Sequence, residues 1–222
     1  LVDVVSSCET LVPVFKENRF LPLNSLRESM ASRCISLVAP MVRVTKASTE
    51  EGEFAVGGGW WVVLRAVSAI LAQGAPFAVE GRAMVVETDG VLGEALVRVS
   101  ETLATEACQA GLTLLASTPA RVVWAPAVAT LFDAPHQASA YGRFSYNLLV
   151  NRTMKLVGTL IARGERDSGE IRSALAKHLA AYGAITSDEQ VTIESNDINA
   201  SVKINSDVIL NGYPIQFEFG IS

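Results

Sequence analysis

The chain has 222 residues, half of them apolar, and carries 18 Lys and Arg against 23 Asp and Glu, a net charge of −5. This composition excludes a disordered polypeptide and allows a sizeable core in one large or two small domains, while the acidic balance, with Lys and Arg scattered singly, argues against a nucleic-acid backbone as partner. Cys8, Cys34 and Cys108 lie far apart with no C-x-x-C pairing, which argues against a zinc site or a disulfide framework and leaves them as small buried hydrophobes.

Residues 2–19 hold apolar positions at mixed spacing, and Pro13 limits any helix there to short pieces. Ser25-Leu-Arg-Glu28 has the form of a capping box before a short helix through Ala31. Residues 34–44 are almost continuously apolar and β-branched, as a buried strand is, with Pro40 marking an end or a bulge. Residues 45–59 turn polar and then glycine-rich, which predicts a loop. Residues 60–73 fit a mostly buried helix stopped by Gly74.

A strand is expected over 77–86 and a turn at Asp89-Gly90, followed by a short strand over 95–99. Ser100 is placed to cap a helix over 101–110 that Gly111 stops, and residues 112–115 are strand-like again. Such alternation predicts a layered α/β sheet. Residues 119–141, with Pro119, Pro126 and Pro135, read as a loop with a short helical turn.

The last third carries the clearest signals. Tyr146, Leu149, Val150, Thr153, Val157, Leu160 and Ile161 form one helical stripe, with Arg143, Asn147, Asn151, Lys155 and Arg163 largely off it. Asp167-Ser-Gly-Glu170 offers a second capping box before a helix over 171–182 that Gly183 stops. Three strand-like runs follow: Val191 and Ile193, then Val202 and Ile204 towards Leu210, then 215–221, with turns at Asn196-Asp197 and Asn211-Gly212. In the final run Ile215, Phe217, Phe219 and Ile221 alternate with polar or small residues, the period of a strand with one buried face. The expected fold class is α/β. A mixed sheet with packed helices occupies residues 1–141, and a long helix, a short helix and an antiparallel β-meander occupy 142–222.

Catalytic chemistry has little to stand on. His136 and His178 have no ligand-type neighbour at i+3 or i+4, no Gly-x-Ser-x-Gly elbow is present, and no Cys is placed with a His as a nucleophile. Gly57-Gly-Gly59 ahead of the Trp60 helix is the one feature with an enzymatic reading, since bare amides at a helix start hold phosphate. It lacks the Lys-Ser/Thr of a P-loop and the G-x-G-x-x-G spacing. A small-molecule or nucleotide-binding α/β enzyme using Gly57–Gly59 therefore stands as the rival, and a chain that binds or builds is favoured; no catalytic, cofactor-binding or metal residue is assigned and no cofactor is expected. No apolar run reaches spanning length, 60–71 being interrupted by Arg65 and Ser68, so no membrane insertion is expected. No signal peptide is visible, and the first residue is Leu rather than Met.

Several segments, in order over most of residues 25–165, resemble the carboxyl-terminal half of the large sheath subunit of the bacterial type VI secretion system, the VipB/TssC family. Ser25-Leu-Arg-Glu-Ser-Met-Ala-Ser-Arg-Cys-Ile-Ser-Leu-Val-Ala-Pro-Met-Val-Arg43 is similar to that family's Arg-Glu-Ser run leading to an apolar strand. Gly57-Gly-Gly-Trp60 is similar to its helix start, Phe77-Ala-Val-Glu-Gly-Arg82 to a later strand, and Glu94 to Leu103 with Ala110 to Leu115 to the passage after it. Arg143-Phe-Ser-Tyr146, with Asn151-Arg152 after it, resembles the family's Arg-Phe-x-His-Tyr segment, and the strand-terminated finish resembles the ends of phage tail sheaths.

The resemblance implies a contractile sheath subunit: self-association into a helical polymer around an inner tube protein, with a possible small sheath subunit, in the bacterial cytoplasm or, for a phage tail sheath, in the virion tail. A phage sheath or another virion assembly protein is the alternative within the class. On this reading residues 1–141 form the sheath-like core and 142–222 the part that pairs with neighbours. Val202, Ile204, Ile215, Phe217, Phe219 and Ile221 mark the joining strands, and Arg143 and Lys155 a helix that faces the tube or the next subunit. No nucleic acid and no direct membrane insertion are expected.

Overall fold

The computed structural model describes residues 27, 32–33, 35–39, 42–46, 54–73, 91–95, 98–117, 123–131, 140–195, 200–210 and 212–221. Helices and strands are mixed, with one parallel strand pair and antiparallel sheets, so the α/β expectation holds.

The apolar run expected as one strand over 34–44 is two strands in two sheets. β1 (Leu37–Ala39) runs parallel to β5 (Leu112–Leu114), with Val38 opposite Thr113. β2 (Val42–Lys46) lies instead between β3 (Phe54–Val56) and β4 (Val91–Ala95), antiparallel to both. Partners change between Ala39 and Val42, and a proline in that interval, having no N–H to donate to a ladder, accords with the change. Two further expectations move for the same reason, that pairing sets the ends of strands. The loop expected over 45–59 gives up residues 45–46 to β2 and 54–56 to β3. The strand expected over 95–99 ends at Ala95, and Val99 goes into a core, 2% exposed, without joining a ladder.

α1 (Gly58–Gln73) forms as expected, but it is not mostly buried. Val62, Arg65 and Ala66 face inward, packing beside Val42, Leu115, Val123 and Val128, whereas Trp60, Val63, Leu64, Val67 and Leu71 are exposed. A helix apolar on every side carries no sequence record of which side is covered. α2 (Glu101–Gln109) starts where Ser100 accepts a hydrogen bond from the Leu103 amide and ends before Gly111, whose φ of +85° suits glycine. A Cβ at Gly111 would also sit 3.4 Å from the Thr130 carbonyl oxygen.

Residues 123–131 follow an irregular but buried path. β7 (Val123–Trp124) pairs with β6 (Ala116–Ser117), and Val128, Ala129, Thr130 and Leu131 are fully buried. Their backbone groups are bonded, as burial demands: Thr130 N donates to Gly142 O at 2.9 Å and Leu131 N to Ile35 O at 2.7 Å. Arg27 is buried here, its Nη2 donating to Ala110 O. The remaining expectations for 2–19, 77–86, Asp89-Gly90 and the first capping box, Arg27 apart, lie outside the described residues.

The last third is a two-layer unit. α3 (Phe144–Ala162) and α4 (Ser168–Ala181) cover one face of a meander ordered β10–β9–β8, where β8 is Val191–Ser195, β9 Ala200–Leu210 and β10 Tyr213–Ile221. α3 packs towards β10 and α4 towards β8. Across the sheet, Val191, Ile204 and Phe217 stand in one row and Ile193, Val202 and Phe219 in the next. These rows meet Tyr146, Leu149, Val157, Ile171, Leu175 and Leu179 in a core drawn entirely from residues 140–219. Gly212, with φ of +85°, turns β9 back into β10.

Candidate inter-subunit interface

The terminal strands owe their order to alternation. Successive side chains of a strand point to opposite faces, so the apolar set of β9 and β10 goes inward as one block. Val202 is 0% exposed, Ile204 and Ile215 1% and Phe217 5%; Phe219 is half-buried and stacked on Phe217, with ring centroids 6.2 Å apart. Ile221 is placed by its backbone opposite Ala200. The strand residues singled out in the sequence are therefore brought together, with inward side chains committed to this chain's own core. What the strands offer another chain is backbone. Among the described residues β8 and β10 are each bonded on one side only, by β9, so each has a free edge.

Arg143 and Lys155 have different settings. Arg143 stands at the N-cap of α3 without a side-chain cap, its Nη1 donates to the buried Cys108 Sγ, and its guanidinium lies 5.9 Å from the Tyr213 ring centre. Its backbone bridges to Ala129 and so ties the terminal unit to the buried path before it. Lys155 is exposed on the outer side of α3. Of the two, Lys155 is the side chain presented to solvent.

Two polar side chains hold this unit together: Tyr146, on the expected stripe but with a bond to β10 that the spacing does not predict, and Asn147, whose position lies off that stripe. Tyr146 is 1% exposed, sits edge-on to both Tyr141 and Phe217, and its hydroxyl donates to the Gln216 carbonyl oxygen in β10. Burial, with Tyr141 nearby, pushes its ionisation up to about 12. Asn147, expected off the apolar stripe, is buried because its Nδ2 donates to Tyr141 O at 2.6 Å and Arg143 O at 2.8 Å. Its local partners, four and six residues back, were the available signal. His178 sits between the two helices, its ring edge-on to Tyr182 at 4.7 Å, while Arg152 donates to the Tyr182 hydroxyl. Burial, aided by Arg152, lowers its pKa below the ordinary histidine value.

The turn between α3 and α4 departs from the expected capping box. Asp167 does cap α4, its Oδ1 accepting from the amides of Gly169 and Glu170. The reciprocal carboxylate comes from Glu165, which accepts from the amides of Arg166 and Asp167, both at 2.9 Å. Those amide bonds, Asp167's first, hold the Glu165 carboxyl low, and the side-chain hydrogen bond between Glu165 and Glu170 raises that of Glu170.

The outer sheet face is polar apart from Ile209, which is 68% exposed. Thr192, Lys203 and Glu218 stand in one row, Glu194 stands beside Ser201, and Gln190 donates to Asp207 at 3.1 Å. A shallow groove runs over Glu189, Thr192, Glu194, Lys203, Asn205 and Asp207.

The triple glycine of the rival reading is the entry to α1, with Trp60 N donating to Gly57 O at 3.0 Å. A Cβ at Gly57 or Gly59 would meet nothing within 4 Å, so no close approach requires glycine there. Trp61 packs inward beside Val62, but Trp60 is 68% exposed. Among the described residues no group of three His, Cys, Asp or Glu is arranged to hold a metal ion, and no helix is long and apolar enough to cross a membrane. His136 lies outside the described residues.

No family model matches the sequence, and no curated protein matches it. Among solved structures, the fold is similar to that of a sheath tail protein from Desulfitobacterium hafniense, with a TM-score of 0.52 at 11% identity, over 84% of this chain and 44% of that one. At that identity the likeness is one of fold. The chain spans less than half the length of the protein it matches.

Proposed function

We propose that this chain is a structural subunit of a phage-type tail sheath, or of the related type VI secretion sheath, and that it works by polymerising around an inner tube instead of turning over a substrate. The fold likeness to a sheath tail protein over 84% of the chain carries this reading. The edges of β8 and β10, which no other described strand pairs with, support it, because a strand from a neighbour can extend either edge through backbone hydrogen bonds. On this reading residues 142–222 are the joining unit. β9 and β10 supply the rigid ladder that a neighbour's strand extends, and Lys155 faces the tube or the next subunit. A small sheath subunit and an inner tube protein are the implied partners.

Contraction needs no nucleotide at the moment of firing when the extended polymer is metastable and each subunit contributes a small part of the stored free energy. Negative-stain electron microscopy of the purified protein over a range of concentrations tests the reading. Tubes or stacked rings are the expected result, and two forms of different length and width mark a contractile sheath. Polymers of one form only would make it a non-contractile assembly protein. A monomer at every concentration, alone and with a candidate tube protein, would overturn the proposal.

A further inference from the structure

The terminal unit is electrically two-sided. Over residues 143–182, the helical layer, there are seven Lys and Arg against three Asp and Glu, a net of +4; over 183–222, the sheet layer, there are six acidic residues against Lys203 alone, a net of −5. The segregation is sharper in space than in the count. α3 contains no acidic residue, and the three carboxylates of the helical layer, Glu165, Asp167 and Glu170, are gathered at the α3–α4 turn, where Glu165 and Asp167 bind backbone amides. Exposed Lys155 and Lys177 thus lie on a helical face with the acids confined to one end. On the opposite side of the slab, Glu189, Glu194, Asp207 and Glu218 are all exposed, with Lys203 the single cation among them.

We infer that the outer helical face of one copy docks on the outer sheet face of the next, head to tail, with electrostatic attraction setting which faces meet. The inference rests on the self-association reading above and names its surface. Its occupant is a second copy because the same chain carries both members of the complementary pair, on opposite faces of one two-layer slab. Symmetric pairing would set helix face against helix face or sheet face against sheet face, and both bring like charges together at substantial cost. Docking opposite faces repeats from copy to copy and gives a ring where the rotation closes or an open filament where it does not, but never a symmetric dimer. The attraction acts between exposed charges, so added salt screens it.

The test uses the full chain and two variants altered only at exposed positions, with circular dichroism confirming that both fold. K155E/R163E/K177E takes the helical layer from +4 to −2, and E189K/E194K/E218K takes the sheet layer from −5 to +1. Each variant alone presents like charge on both faces and is expected to lose self-association by on the order of 100-fold at low salt. Mixed in equal amounts they match at both junctions, the acidic helices on the basic sheet and the unchanged basic helices on the unchanged acidic sheet. The mixture is expected to recover the wild-type sedimentation and stained polymers, and wild-type assembly to weaken as NaCl rises from about 50 to about 500 mM. Wild-type polymers with both variants assembling as well alone would overturn the head-to-tail docking and leave the sheath reading standing. So would a mixture that fails to assemble beside a polymerising wild type. A wild type that stays monomeric at low salt at every concentration, alone and with a candidate tube protein, would overturn both.

Discussion

Replacing Phe217 by Ala tests whether β10 belongs to this chain's own core. Its ring is 5% exposed, packs edge-on to Tyr146 at 6.2 Å and stacks on Phe219 at 6.2 Å. A buried Phe truncated to Ala loses both its transfer free energy and the contacts around the cavity left behind, about 3–5 kcal/mol. A unit of roughly 80 residues has on the order of 4–12 kcal/mol to lose, so F217A removes much of the stability of the terminal unit. At about 4–8 °C per kcal/mol for a unit of this size, its melting temperature should fall by roughly 12–40 °C. The neighbouring Glu218→Ala, on the exposed face, should change it by no more than about 0.5 kcal/mol. Thermal melts followed by circular dichroism, with hydrogen exchange resolved by peptide, measure both. The decisive comparison is between a dilute sample and a concentrated one. A strand packed on its own chain gives the same loss in both, whereas a strand borrowed from a neighbour makes stability depend on concentration. A loss below about 1 kcal/mol in the dilute sample would refute the intrachain placement of β10.

Tyr146→Phe should cost about 1–3 kcal/mol, because it leaves the Gln216 carbonyl oxygen without its donor; equilibrium denaturation measures it. The same residue gives an alkaline signature: with ionisation raised from 10 to about 12 in the folded state, the unfolded chain loses its proton first, so stability is full below pH 10 and declines between 10 and about 12. Y146F should flatten that part of the profile. His178 works at the other end. Its folded pKa is lowered from 6.5, so the unfolded state takes up the proton first and stability falls as pH drops below 6.5, levelling once pH passes below the folded value. His178→Gln should make that decline shallower in denaturation curves collected from pH 7.5 to 5, and an unchanged slope would remove the histidine from the acid response.

The parts of the fold that could be read in advance are those fixed by neighbours in sequence. Ser100, Asp167 and Gly111 act within a few residues, and they mark the ends of α2 and α4 where the structure has them. The alternation of Ile215, Phe217 and Phe219 is also local, and it placed one face of β10 inward. What could not be read depends on distant partners. β1 pairs with β5, far along the chain, and β2 with β3 and β4, so the split of one apolar run into two sheets is decided by segments that the run itself does not contain. Phe54–Val56 became a strand inside an expected loop for the same reason. The outward side of α1 was invisible because Trp60, Leu64, Val67 and Leu71 are as apolar as the buried Val62 and Ala66. In the candidate interface the apolar strand residues were legible as strand residues, while the polar face behind them was not, since which acidic residues share a face follows from the register between β8, β9 and β10.

That division of labour bears on how such a chain would recognise its copies. The apolar face of the meander is already covered by α3 and α4, so it cannot drive association without unfolding the unit. Besides the exposed Ile209 and Met154, what the unit offers is the backbone of two strand edges and the charge on two slab faces. Strand edges bond to almost any extended segment and distinguish partners poorly. Charged faces contribute little energy per exposed pair, yet they discriminate strongly between matched and mismatched docking. Used together as separate contacts of each subunit, the edges would supply the strength and the faces the direction. A polymer built this way can let one kind of contact slide while the other holds, because the exposed charge contacts are soft and long-ranged whereas the edge bonds require close alignment.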